Sequence, residues 1–384
     1  MKKLAITVFF STFILILIGL ILVMSASSTY SSVRFDSTFH LFSSHLSKVG
    51  IGLFMMALFS FVPYEFYQKI SKPALFVMAF VLLFTLIAAA QVKGAGRWIS
   101  LGFITIQPAD VAKLVLIIHL ASLIAKKQDN IKEFKKGFIY LFVWVIAIAV
   151  LILAQPNIST GVLIVVISLA MLYVAGARIK HIFLSSAGLI VLAVSLALIL
   201  PHSRIRILNY IDSIGSEAGL NHQLKQGVLS LGSGGLFGVG IGNSRQSNLF
   251  LPESYGDFIF AILGEETGFV GVISVLLIYI VLFTAGVLIA KKAKDKFGQL
   301  LAFGISFSII VYAFANAAVA TGLIPTTGLP LPFISYGGTS IIFLSISIGI
   351  LLNIAILNIK NEKNRKMEIN SNGMVVPTMQ DINY

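Results

Sequence analysis

The chain has 384 residues, of which 57% are apolar and 11% charged, and its mean hydropathy is +0.96. Soluble domains carry about a quarter charged residues, so this balance excludes a water-soluble globule, which would expose apolar surface it cannot hide, and it excludes intrinsic disorder. The net charge of +13 does not mean nucleic acid, because the basic residues sit in short clusters between apolar stretches, and the absence of cysteine excludes disulfides, thiolate metal sites and a thiol nucleophile.

Met1-Lys2-Lys3 and the apolar run to about Ser25 have the outline of a signal peptide, with Ser25-Ala26-Ser27 as a small-residue cleavage site. The run is longer than a signal core and many more follow, so it reads as a retained first helix. Ten spans lie near 5–25, 47–63, 74–92, 111–125, 138–154, 159–176, 182–200, 258–290, 300–321 and 340–359. The eighth is long, which predicts a tilted helix or one that extends beyond the bilayer. Stretches of about 20 residues exclude a β-barrel, whose strands alternate over about 10. The fold class is an all-α integral membrane protein of about ten transmembrane helices.

Placing the N-terminus in the cytoplasm puts 19 of the 28 Lys and Arg residues in cytoplasmic segments, which predicts an N-in, C-in topology. A membrane domain then spans residues 1–360, with a large external loop over 201–257 between the seventh and eighth helices, and 361–384 is a flexible cytoplasmic tail. In that loop Gln223 to Ser230 reads as a short helix. Asp36, Asp110, Asp212, Glu217, Glu253, Asp257, Glu265 and Glu266 all fall on the outer side or within the membrane, so the chemistry-capable side faces outward.

Four segments carry information. In Lys93–Ile99 and Gln107–Lys113, Pro108 and Asp110 suit a helix N-terminus, whereas Lys113 opposes the helix dipole there. Lys113 either pairs with Asp110 three residues away or, with Arg97, faces an anion such as a phosphate. Gln155 to Thr160 reads as a tight outer turn in which Asn157 or Ser159 caps the next helix. The glycine-rich stretch from Gly232 to Gly242 fits neither the dinucleotide fingerprint, where Phe237 takes the place of the third glycine, nor a P-loop.

Asp257 stands where this loop becomes apolar helix, either as an N-cap or as a chemical group. Glu265 and Glu266 follow in the same helix, on faces turned about 80° and about 180° from it. The three cannot line one narrow site, which favours Asp257 for chemistry and pairs Glu265 or Glu266 inside the bundle. The fourth segment, Gly322 to Ser340, holds too many prolines and glycines for an uninterrupted span. It reads as a re-entrant loop walling an outer cavity, with Ser335, Tyr336, Thr339 and backbone amides as donors.

Together these segments resemble the SEDS family of bacterial shape, elongation, division and sporulation proteins, over about residues 5–360. Its most specific pieces are Leu251-Pro252-Glu253 with Asp257-Phe258-Ile259-Phe260 and Glu265-Glu266-x-Gly268, then Pro325–Pro330 with Ser335-Tyr336-Gly337-Gly338. Gly238–Ser244 is similar to the cell-division branch. The resemblance implies a glycosyltransferase in the bacterial cytoplasmic membrane, at the division septum, that polymerises lipid II into peptidoglycan strands. It implies a class B penicillin-binding protein partner (FtsI-like) and other divisome proteins.

By position, the family's essential acidic residue falls on Asp257 and its motif lysine on Lys113. Arg97, Lys113, Glu253, Ser335 and Tyr336 are then substrate-binding, and Asp110, Glu265 and Glu266 support them. The chain departs from the pattern at Ala109 and Asp110, at Asn157 and Ser159, and at Tyr255-Gly256, none of which removes the Asp257 carboxylate. In the implied mechanism Asp257 acts as general base, and Arg97 and Lys113, with an optional divalent cation such as Mg or Mn, neutralise the leaving diphosphate. The rivals are a lipid II flippase, a non-catalytic scaffold and the elongation role.

Overall fold

The structure is a computed structural model, and it describes residues 1–88, 98–100, 105–155, 157–199, 204–205, 208, 210, 222–248 and 250–371. Its helices are α1 (Lys2–Phe35), α2 (His40–Phe61), α3 (Tyr64–Ala88), α4 (Pro108–Lys127), α5 (Ile139–Ala154), α6 (Ile158–Val174), α7 (Ile179–Ile199), α8 (His222–Ser233), α9 (Ile259–Lys291), α10 (Lys296–Ala320) and α11 (Ser340–Ser371). Among the described residues eight of them, α1 to α5 and α9 to α11, are long and apolar enough to cross a membrane, and α6 is a shorter apolar helix. Large apolar side chains such as Phe54, Phe61, Phe80 and Ile87 point outward. An exposed apolar belt of this kind is stable only against lipid.

Each expected span falls on a helix, but several boundaries move. α1 continues ten residues past the expected end at residue 25, to Phe35. α3 starts at Tyr64 rather than near 74 and runs through Pro73, tolerated here inside a membrane-type helix. The short helix expected at Gln223–Ser230 is α8. A two-residue antiparallel hairpin, β1 (Ile99–Ser100) with β2 (Thr105–Ile106), interrupts the all-α pattern just before α4. The tail does not begin as coil: α11 carries the helix on to Ser371, and residues 372–384 lie outside the described residues.

Small residues let backbones approach where helices pack. α2 lies along α11, and a Cβ on Gly349 would stand 2.5 Å from the Met56 carbonyl oxygen. A Cβ on Gly19 of α1 would stand 2.5 Å from the Phe333 carbonyl oxygen. Van der Waals fit at such contacts drives helix association in lipid, where no hydrophobic force acts between helices.

The two ends of the bundle are joined by different groups. At one end Tyr64 donates to Asp295, whose other oxygen caps α10 by accepting from the Gly298 amide at 2.7 Å, and Asn353 accepts from the Tyr64 amide at 2.9 Å. At the opposite end described residues of the α3–α4, α7–α9 and α10–α11 connections meet: Gly338 lies against Thr105 and Trp98, and the Tyr336 amide donates to the Tyr255 carbonyl.

The eighth span is not one continuous helix. At Gly268 the chain takes φ 67, ψ −168, which breaks α9 into two helical pieces. The glycine-rich stretch fills the break. Val239 and Gly240 donate to the Glu265 and Glu266 carbonyls at 2.9 and 3.1 Å, and Phe269 and Val270 donate to the Gly235 and Leu236 carbonyls at 2.9 and 3.1 Å. The carbonyls and amides orphaned by the break are thereby satisfied in the low-dielectric interior, where an unpaired one is costly. A Cβ on Gly268 would lie 2.4 Å from the Gly238 nitrogen, and one on Gly238 would lie 2.1 Å from the Glu266 carbonyl oxygen, so both contacts demand glycine.

The carboxylates of Glu265 and Glu266 complete this joint at 2% and 1% exposure. Glu265 accepts from the Ser230 hydroxyl at 3.0 Å, from the Ser244 hydroxyl at 2.5 Å, and from the amides of Arg245 and Gln246 at 3.0 and 3.4 Å. Glu266 accepts from the Ser25 hydroxyl of α1 and from the Gly242 amide at 3.1 Å. Their partners are hydroxyls and amides of the external loop and of α1, rather than cations.

Gly268→Ala is expected to destabilise the protein by more than about 2 kcal/mol, since the backbone region is essentially glycine-only and the clash is with backbone; thermal unfolding of the purified protein in detergent measures it, and an unchanged midpoint counts against the joint. Glu265→Ala removes the acceptor of the Ser244 hydroxyl and of the Arg245 and Gln246 amides, and costs on the order of 3 kcal/mol. It is also expected to speed tryptic cleavage after the exposed Arg245, because the loop loses its anchor, whereas Glu265→Gln is expected to fall between the two.

Candidate functional site

Asp257 lies in the turn that enters α9, and the N-cap position belongs to Phe258, which makes no side-chain cap. Asp257 is therefore not the helix cap. Its turn is built on Glu253, which holds φ 56, left-handed and strained for a non-glycine residue. The Glu253 carbonyl accepts from the Gly256 amide at 2.9 Å, and Ser254 donates to the Ala26 carbonyl of α1 at 3.2 Å.

Three successive carbonyls of this turn are then clamped from the opposite side. Tyr255 accepts from the Tyr336 amide at 2.8 Å, Gly256 from the Ser335 hydroxyl at 2.8 Å, and Asp257 from the Asn316 side-chain amide at 2.8 Å. Asn316, on α10, donates also to the Leu329 carbonyl at 2.7 Å, tying the Asp257 turn to the α10–α11 loop. The Asp257 carboxylate lies over Gly328, where a Cβ would come within 3.3 Å of Oδ2, and Gly328 itself holds φ 72. Half-buried Asp257 is thus set against a glycine that leaves it room.

Ser335 is buried, and its hydroxyl also accepts from the Leu331 amide at 2.7 Å. Its expected role as a substrate donor becomes one of holding the turn. Tyr336 is half-buried, and its hydroxyl lies 3.4 Å from the Ser44 hydroxyl and 3.3 Å from Lys48 Nζ. Its ring meets that of Tyr255 edge-on at 5.6 Å. Burial and the nearby Glu253 carboxylate push the Tyr255 hydroxyl well above the ordinary phenol range, so it stays a donor at neutral pH.

Asp110 and Lys113 form the pair expected as one of the two readings. Their charged groups stand 3.8 Å apart at 8% and 9% exposure, with the ammonium 3.9 Å from the centre of the Tyr312 ring. Pro108 and Asp110 occupy the first turn of α4 as expected. A narrow cavity beside the pair is lined by Ser308, Ser340 and Ser347. Tyr312 and Asn316 are one turn apart on α10, about 6 Å along its axis. One helix face therefore carries contacts to Lys113 and to Asp257.

Segment 335–340 makes the same connection from above: a Cβ on Gly338 would be 3.0 Å from the Thr105 carbonyl oxygen and 3.6 Å from Trp98, and Thr339 accepts from the Gln107 amide at 3.4 Å. The structure brings Asp257, Glu253, Ser335 and Tyr336 together, and it sets Lys113 with Asp110 nearby. It gives Glu265 and Glu266 to the loop joint. Arg97 lies outside the described residues. Asn157 occupies the N-cap of α6 without a side-chain cap bond.

Asn316 and Lys48 were missed from sequence, though each is a polar group inside an apolar run. Among the described residues no group of three or more His, Asp or Glu side chains is gathered to hold a metal ion.

The arrangement is a rigidly seated carboxylate beside aromatic and cationic groups, at the end of the bundle where the loops meet. Comparison with known proteins agrees with that picture. The family model described as cell cycle protein, covering FtsW, RodA and SpoVE, matches residues 6–360. Stage V sporulation protein E of Bacillus subtilis is 39% identical over 347 residues, covering 90% of this chain and 94% of that protein. The probable peptidoglycan glycosyltransferase FtsW of a Geobacter species is 35% identical over 347 residues, covering 89% and 94%.

Among solved structures, the rod shape determining protein RodA of Thermus thermophilus superposes with a TM-score of 0.67 at 22% identity, covering 90% of this chain and 95% of that one. A chain from a structure on the coordination of polymerization and crosslinking by a peptidoglycan synthase complex superposes with 0.73 at 23% identity, covering 91% and 97%. At these identities the structures share the fold. With the family model spanning nearly the whole membrane portion, the chain belongs to the FtsW, RodA and SpoVE family of cell cycle proteins.

Proposed function

We propose that the chain is a peptidoglycan glycosyltransferase that polymerises lipid II into glycan strands on the outer face of the bacterial cytoplasmic membrane, at the septum. Its relatives include proteins named as probable peptidoglycan glycosyltransferases. The observation that carries the reading is the clamp of three carbonyls that seats Asp257 at the loop-to-helix boundary. A general base must be held within reach of one proton, and backbone fixed on both sides of Asp257 does that.

In the proposed step a hydroxyl of the acceptor sugar attacks the anomeric carbon of the lipid-linked donor. Asp257 takes the hydroxyl proton, the new carbon–oxygen bond forms, and the bond to the diphosphate breaks. Undecaprenyl diphosphate leaves with the electron pair. Lys113, held by Asp110 and Tyr312 one turn along α10, supplies positive potential on the side where that charge develops. Arg97 is assigned to the same charge by its motif.

The outward-facing assignment rests on the excess of Lys and Arg in the opposite loops. A class B penicillin-binding protein (FtsI-like), which would cross-link the product, is the proposed partner. The fold match to a complex that joins polymerization to crosslinking supports this pairing. Other divisome proteins would then bring the pair to the septum.

The test is glycan-strand formation from purified lipid II, with and without a class B penicillin-binding protein. Asp257→Asn is expected to lower turnover by about a hundredfold or more. Normal polymer from that variant removes the base assignment, and no polymer from the folded wild-type complex removes the polymerase reading. Asn316→Ala is expected to lower kcat about tenfold with KM little changed, because it loosens the seat of Asp257 without touching substrate; a change confined to KM would place Asn316 in substrate binding instead.

A further inference from the structure

Lys48 is a charge within the apolar α2, two turns from its start at the loop end of the bundle. Charged side chains in such segments are rare and mark partners or pathways. Among the described residues neither Lys48 nor Arg34 of α1 is paired with a carboxylate. What surrounds Lys48 is aromatic. Its ammonium stands 4.6 Å from the centre of the Tyr336 ring, with the Tyr336 hydroxyl at 3.3 Å. The rings run on from there: Tyr336 to Tyr255 at 5.6 Å, Tyr255 to Tyr30 at 5.3 Å, and Arg34 over Tyr30 at 5.9 Å.

Beneath Tyr336 lies His45, fully buried, its ring 5.6 Å away and neither ring nitrogen hydrogen-bonded. Four segments, α1, α2, the turn at Tyr255 and the loop at Tyr336, thus converge on one ledge with a cation at each end, half-buried at Lys48 and exposed at Arg34, and Tyr255 stands two residues from Asp257.

We propose that this ledge, from Lys48 across Tyr336 and Tyr255 to Arg34, binds the anionic part of the lipid-linked saccharide, with Lys48 as its anion-binding residue. The inference rests on the glycosyltransferase reading and names a binding contact for it. An ammonium has three donors, of which Tyr336 takes one, so two remain for an anion. Ring faces suit the apolar face of a sugar. The Tyr336 amide fixes the Tyr255 carbonyl, so the ledge and the Asp257 turn move together. A ligand seated on the ledge is thereby registered against the base. The anion is a phosphate of the diphosphate or a carboxylate of the peptide stem.

Lys48→Met keeps the alkyl bulk and removes the charge, and Lys48→Arg keeps the charge. Lys48→Gln serves as a second neutral variant where the methionine lowers the unfolding midpoint. Binding is measured in the Asp257→Asn background, which does not turn over, using lipid II and, separately, undecaprenyl diphosphate as probes. The neutral variants are expected to weaken lipid II binding about tenfold and Lys48→Arg less than threefold. An equal loss for undecaprenyl diphosphate assigns the anion to the diphosphate, and a loss confined to lipid II assigns it to the stem.

In the active protein the neutral variants are expected to raise KM about tenfold with kcat within twofold. Unchanged lipid II binding in the neutral variants overturns the ledge and leaves the polymerase reading standing. Lys48-dependent binding by a wild-type protein that forms no polymer keeps the ledge and overturns that reading.

Discussion

The broken helix at Gly268 is the feature on which the loop end of the bundle depends. A helix that stops in a low-dielectric interior exposes amides and carbonyls that must find partners. Here the glycine-rich stretch that follows α8 supplies them on both sides of the break. The carboxylates of Glu265 and Glu266 extend the same repair to Ser230, Ser244 and α1. Two ionisable groups in a span would ordinarily suggest a pathway or a catalytic pair. Their hydrogen bonds instead show them as the fasteners of a loop that water alone would not order.

With that joint made, the turn carrying Asp257 sits on a fixed base. The clamp from Tyr336, Ser335 and Asn316 closes it from the other side. The two halves come from segments that hydropathy alone would discard as irregular. Non-helical backbone at this depth is stable because each segment meets the polar needs of the other. The strained residues fit the same pattern: Glu253 and Phe333 take positive φ where the two loops interlock. Strain of this sort persists only where the surroundings over-determine it.

α10 relates the cationic and acidic parts of the site. Tyr312 faces Lys113 and Asn316 faces Asp257, so one helix sets their spacing. Two groups held by one rigid element keep their separation, which loops alone would not ensure. On α2, Lys48 reaches the same loop end through Tyr336.

Much of this was legible in the sequence. Apolar runs of about 20 residues specify membrane helices because the bilayer acts on each segment independently, so a local sum of hydropathy suffices. The irregular loop at Gly322–Ser340 also follows from local composition, and the spacing of Asp110 and Lys113 offered their pairing as one of two readings. The break at Gly268, the clamp on Asp257 and the setting of Lys48 do not. Gly268 is one glycine among 32, and nothing local says that its φ is positive.

Ser335 and Gly256 are 79 positions apart, and Lys48 and Tyr336 are 288 apart. The sequence by itself determined which segments enter the membrane and which residues are able to do chemistry at its edge. Only the tertiary structure decided which partners Glu265, Glu266 and the Asp257 turn take, because a buried polar group is satisfied by the donors packed around it, and those donors arrive from distant parts of the chain.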